Sequence, residues 1–148
     1  MSLEKDVMTQ MKAAMKAKDA AALEALRAVK SAILLAKTEN SQQDLSEEEE
    51  IKILQKLVKQ RKDSAILYRE QNREDLAEPE EKQAEVIAQF LPEQLSEAEI
   101  EEKVEAIIAQ TGAEGMKDMG KVMGLASKEL AGKADGKTIS MVVKKKLA

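Results

Sequence analysis

Histidine and cysteine are absent from the 148 residues, and Tyr68 and Phe90 are the only aromatic side chains. Without cysteine there can be no disulfide, thiolate nucleophile or thiolate metal ligand. Without histidine the chain lacks the one side chain whose unperturbed pKa lies near neutrality, and with it the usual general base. Zinc sites built on either residue are excluded as well. Two prolines and six glycines give few interruptions, which favours long helices over a turn-rich sheet fold. No apolar run approaches the roughly 20 residues needed to span a bilayer. The opening Met1-Ser2-Leu3-Glu4-Lys5-Asp6 has no apolar stretch of the secretory type, so the expected location is the cytoplasm.

What remains is aliphatic and charged. Leu, Ile, Val and Met must build the core, and twenty-two alanines allow close helix approach while favouring helix outright. The net charge of −4 is unevenly spread. From Gly112 onward eight lysines face four acids, a local +4, which leaves −8 on the preceding 111 residues. An acidic body with a basic end implies that the end meets something anionic, unless those lysines are simply solvated surface.

The hydrophobic period predicts an all-α chain. Leu3, Val7, Met11 and Ala14 mark a first helix, and Leu23, Leu26, Val29 and Ile33 a second, with Asp19 as its N-cap. A polar loop, Asn40 to Asp44, follows. Ser46 and Glu49 form a capping box for a third helix carrying Leu54, Val58, Ala65 and Tyr68, and the acids Glu47 to Glu50 suit its positive dipole end better than a metal. Glu78-Pro79 suggests the start of a fourth helix, with residues 73–78 either a separate turn or its kinked start, and Pro92 stops it. Ser96 and Glu99 form a second capping box, with Leu95 and Ile100 as the staple, opening a helix that ends at Thr111-Gly112. A sixth helix from Met116 is expected to close at Gly132, and a seventh to begin near Thr138. The pattern predicts two helical subdomains, a bundle of about four helices over 1–91 and a three-helix bundle over 96–148.

Candidate functional residues are few. Arg27 and Arg61 lie beside apolar stripes. Each must find a carboxylate (Glu24, Glu39 or Asp75), snorkel outward, or serve as an anion contact. Ser31 and Ser64 lack an adjacent base, so serine catalysis is not expected. Gly120 and Gly124, one turn apart, suggest close approach of another backbone or a ligand, with helix packing as the commoner cause. Gly132-Lys133-Ala134-Asp135-Gly136-Lys137 lacks the order and spacing of a phosphate-binding loop. Lys144-Lys145-Lys146 suits a helix C-terminus, and joined with Lys117, Lys121, Lys128, Lys133 and Lys137 it would also suit a phosphate backbone. Stacking platforms for unpaired bases are missing.

An ordered series of short segments carries a resemblance. It runs through Leu26-Arg27, Ser31-Ala32-Ile33, Glu39, Gln60-Arg61, Ser64, Tyr68 and Arg73-Glu74-Asp75-Leu76. It continues through Phe90-Leu91-Pro92-Glu93-Gln94-Leu95-Ser96, Gly120-Lys121-Val122-Met123-Gly124 and Gly132-Lys133-Ala134-Asp135-Gly136. In this order the segments resemble the YqeY-like proteins of the GatB/YqeY family over nearly the whole chain, with Phe90 where a tyrosine is expected. The resemblance implies two helical subdomains and a likeness to the C-terminal tail of the GatB component of aspartyl/glutamyl-tRNA amidotransferase, which contacts tRNA. The catalytic domain of that component has no counterpart here, so the label carbon–nitrogen ligase with glutamine as amido-N-donor would attach by similarity alone. The expectation is a non-catalytic module, without cofactor or metal, that binds tRNA or a tRNA-linked enzyme. Its expected contacts are Lys121, Lys128, Lys133 and Lys137, with Arg27 and Arg61 as secondary candidates. The alternatives are an amidotransferase-like ligase acting only with partners, and a protein-interaction adaptor.

Overall fold

A computed structural model describes residues 2–41 and 43–148; Met1, and Gln42 of the expected polar loop, lie outside the described residues. These residues form seven α-helices, one 3₁₀ turn and no strand. The chain divides into two compact units, 1–91 and 92–148.

The first unit holds α1 (Ser2–Ala17), α2 (Ala20–Glu39), α3 (Glu47–Glu70) and α4 (Glu74–Ala88). Val7 of α1, Leu26, Val29 and Ile33 of α2, Leu54 and Val58 of α3 and Ile87 of α4 are buried together. The helix ends follow local chemistry. Asp19 caps α2 by accepting from the Ala22 N–H at 3.1 Å. Ser46 and Glu49 cap α3 reciprocally, at 3.1 Å and 3.0 Å. Three helices close through a left-handed residue, α2 among them at Ser41 (φ 58°), whose amide reaches the Thr38 carbonyl. At the end of α1, Lys18 (φ 56°) lets the Lys18 and Asp19 amides reach the Met15 and Ala14 carbonyls. At the end of α3, Asn72 (φ 58°) lets Asn72 and Arg73 reach Arg69 and Tyr68. Asparagine tolerates that conformation better than lysine.

The α3–α4 hairpin is antiparallel, since its side-chain contacts run in opposite order, Arg69 with Glu74 and Arg61 with Gln83. Here the structure decides between the two readings of residues 73–78, which from Glu74 onward belong to the helix. α4 begins at Glu74, and Pro79 lies inside it rather than in its first turn. Two interactions pull the start back. The Arg73 carbonyl accepts from both Leu76 and Ala77 N–H groups, and Arg69 of α3 grips Glu74 (2.9 Å) and Glu81 from the side. These carboxylates hold the Arg69 guanidinium in its charged form, and Glu81 is pushed below the usual carboxylate range in return. The missing Pro79 N–H falls on an exposed side, where water can satisfy the carbonyl it would have met.

The second unit holds α5 (Glu97–Thr111), a 3₁₀ turn (Met116–Asp118), α6 (Met119–Glu129) and α7 (Gly136–Leu147). Its core is Ile100, Val104 and Ile107 with Val122, Ala126, Leu130, Ile139, Val142, Val143 and Leu147. Ser96 and Glu99 form the expected capping box at 3.2 Å and 3.1 Å, and Gly112 (φ 68°) closes α5. α6 departs from expectation at both ends. Met116 falls in the 3₁₀ turn, and the helix ends at Glu129, before Gly132, which is left-handed (φ 79°) in the following turn. α7 starts at Gly136, two residues early, because Asp135 accepts from the Thr138 N–H (2.8 Å) and its hydroxyl (3.2 Å).

The capping box at Ser96 makes two linked predictions. Ser96→Ala should lower stability by about 1 kcal/mol in urea unfolding. The backbone and hydroxyl of Ser96 depress the Glu99 pKa. A depressed carboxylate contributes stability that is present above its unfolded value and lost as pH falls through the folded one. Thermal midpoints of the wild type should therefore drop as pH falls below the ordinary carboxylate range, and Glu99→Gln should make that acid limb shallower.

Candidate nucleic-acid interface

The four lysines expected to matter most all lie in the second unit and are all exposed. Lys121 and Lys128 stand seven residues apart on α6, so they share one side two turns apart. That side also shows Gly120, Gly124 and Leu125, while Val122 and Ala126 face the core. Lys133 sits in the turn between α6 and α7. Its carbonyl accepts from the Leu95 N–H at 2.9 Å, and the neighbouring Gly132 carbonyl accepts from the Gln94 side chain at 2.6 Å. The segment leading into α5 thus pins the turn that carries Lys133. Lys137 lies in the first turn of α7, and Met141 and Lys144 follow it along the exposed side of that helix.

Charge pairing divides the lysine run at the end of α7. Lys145 reaches Glu101 of α5 at 3.1 Å, and Lys146 reaches Glu105 at 2.7 Å. The first contact depresses the Glu101 pKa, and the second raises that of Lys146. Among the described residues, Lys117, Lys121, Lys128, Lys133, Lys137 and Lys144 meet no carboxylate within ion-pair distance. The unit as a whole is not basic: residues 92–148 hold nine lysines and ten acids, a net of −1. The stretch before Gly112 carries six of those acids and one lysine, so the positive charge belongs to the α6–α7 part alone.

The two arginines lie in the first unit. Arg27 is exposed on α2 and pairs with no described carboxylate. Arg61 is half-buried on α3, and the ion pair expected with Glu24, Glu39 or Asp75 does not form. Asp75 is taken by Arg73 at 3.0 Å, and Arg61 donates instead to the neutral Gln83 of α4. Gln83 carried no signal in the sequence, since a glutamine among Glu80, Glu81, Lys82 and Glu85 looks like one more surface residue.

The glycine pair requires a second correction. A Cβ built on Gly120 or Gly124 would meet no atom within 4 Å, so no described helix of the second unit packs closely against them. Their side of α6 is open. Among the described residues, no group of three or more Asp, Glu, His or Cys could hold a metal ion, and Glu47 to Glu50 act at the start of α3. No described helix is long and apolar enough to cross a membrane.

These features define a small all-helical module with one basic, glycine-bearing face. The chain belongs to the Yqey-like protein family, which residues 4–147 match. No curated protein matches it.

If the glycines serve only an external partner, replacing them should help the free protein. Gly124→Ala, in mid-helix with open space around it, should raise stability by about 1 kcal/mol, and Gly120→Ala, in the first turn, by less. Unchanged or lower melting temperatures would show that the fold itself needs them.

Proposed function

We propose that the protein is a non-catalytic, cytoplasmic helical module that binds tRNA, free or held by a tRNA-linked enzyme, through the α6–α7 face of its second unit. The observation that carries this reading is the partition of charge. The acids of α5 engage Lys145 and Lys146, and six lysines on or beside α6 and α7 keep their charge without a protein partner. Unpaired lysines on one part of an otherwise acidic chain are a surface for phosphates, and each contact releases condensed counterions. The acidic α5 side repels a phosphate backbone and so confines the contact to α6 and α7.

The chemistry of the face favours a folded RNA. It has no aromatic ring to stack on unpaired bases, while open glycines let a backbone come close to the helix. Family membership supports the same reading through the likeness to the tail of the GatB amidotransferase component. Arg27 and Arg61, in the other unit, are secondary contacts in this proposal.

A salt titration of tRNA binding tests it. Affinity should fall steeply with salt, and neutralising Lys121, Lys128, Lys133 and Lys137 together with glutamine should flatten the slope by about 3 to 4, roughly one per lost phosphate contact. A slope that stays unchanged in the fourfold variant, or no binding at low salt, would overturn the assignment. Glutamine-dependent amidation by the purified protein alone would overturn the non-catalytic part of it.

A further inference from the structure

Arg61 is held by neutral partners alone. It is half-buried on α3, where that helix packs on α4. Its Nε donates to Gln83 Oε1 at 3.2 Å, and one terminal nitrogen donates to the Leu57 carbonyl at 3.3 Å. A guanidinium has five N–H donors, so three remain. Its charge meets no carboxylate, although the chain carries 28 acids and both other arginines of the hairpin have recruited them.

Gln83 is the second part of the arrangement. At 7% exposure it is the one polar residue that is buried among the described residues. Its oxygen is used by Arg61, while its amide nitrogen donates to no described group. No buried side-chain polar atom lacks a partner, so that nitrogen must lie where solvent reaches it. A glutamate at this position would neutralise Arg61. A glutamine orients the guanidinium equally well, leaves its charge uncancelled and adds two N–H donors. This part of the seam therefore holds unused N–H donors and, among the described residues, no carboxylate within ion-pair distance of Arg61.

We propose that Arg61 and Gln83 form a binding site for the oxyanion of a small molecule, a carboxylate or a phosphate group. The free guanidinium donors match either group with two parallel hydrogen bonds, and the Gln83 amide adds a third contact. Ser64, one turn after Arg61 on α3 and half-buried, adds a hydroxyl to the same stretch of the helix. The site shares Arg61 with the secondary RNA contacts proposed above but includes none of the four lysines Lys121, Lys128, Lys133 and Lys137.

Side-chain NMR of the full chain reads this directly. Only four arginines are present, so the Arg61 Nε–H resonance can be assigned by substitution. Inorganic phosphate and acetate are titrated separately, with chloride adjusted to hold ionic strength constant. Saturable shifts at Arg61 and at the Gln83 amide, with Arg69 and Arg73 unmoved, are expected with at least one of the two. Response to phosphate alone, to acetate alone or to both each supports the site and defines its oxyanion. Gln83→Glu, which supplies the missing carboxylate, should abolish the response while leaving the fold intact by circular dichroism. Arg61→Lys should weaken binding by roughly tenfold or more, because the two parallel bonds are lost. The proposal is overturned by linear, non-saturating shifts, by equal shifts at Arg69 and Arg73, or by an unaltered titration in Gln83→Glu. A response to tRNA with none to either small anion would also overturn it, and would place Arg61 with the RNA contacts instead. Loss of RNA binding in the α6–α7 lysine variant with the small-anion response intact separates the two sites.

Discussion

With so few rings to fill space, α3 and α4 exclude water by lying close together. Small side chains make this possible: Ala65 of α3 and Ala77 and Ala84 of α4 are almost wholly buried, as is Ala25 of α2. Close approach has a consequence for polar groups at the seam, because an atom that water does not reach must find its partner within the protein. Arg69 finds Glu74 and Glu81 near the turn, where the seam is open, and this ion-paired clamp sets where α4 begins. Arg61, deeper along α3, finds only the side-chain oxygen of Gln83 and a carbonyl of its own helix. The same alanine packing that holds the hairpin together thus leaves one guanidinium oriented but not neutralised.

In the second unit the organising quantity is the placement of charge rather than its sum. A net of −1 would suggest indifference to nucleic acid. Six of the ten acids lie on or before α5, however, and two of them are tied to the end of α7. Each of these ion pairs joins one exposed and one half-buried side chain, and at such sites an ion pair adds modestly to stability. Their effect is to cancel charge on one flank of the bundle, so that the residual positive field is carried by α6, the turn after it and the start of α7.

Features determined within about four residues were legible in the sequence. The capping boxes at Ser46 and Ser96, the N-cap at Asp19, the end of α5 at Gly112 and the all-α class all rest on short-range chemistry or on the hydrophobic period. Features that depend on a distant partner were not. The start of α4 stayed open between residues 73 and 79 because Pro79 is a local signal and the Arg69 clamp is not. Lys144 to Lys146 read as one basic run because Glu101 and Glu105, some forty residues away, divide it only in three dimensions. Gly120 and Gly124 announced that a backbone could come close, but a sequence does not say whether that side of the helix is covered. Gln83 is the clearest case: its significance lies in burial next to an arginine, and no composition or spacing encodes that.

The open glycines also bear on how α6 behaves over time. α6 is eleven residues long, holds two glycines and begins without a side-chain cap, whereas α5 and α7 are both capped. At Gly120 and Gly124 the exposed side has no side chain of its own to shield the backbone hydrogen bonds. Such a helix belongs to the low end of the local-stability range, where amide protons exchange with solvent through brief openings that leave the rest of the bundle closed. A partner lying along it would quench those openings. The free energy of contact would then be divided between attraction and the ordering of α6, so slowed amide exchange confined to this helix would register the partner even where the structure barely changes.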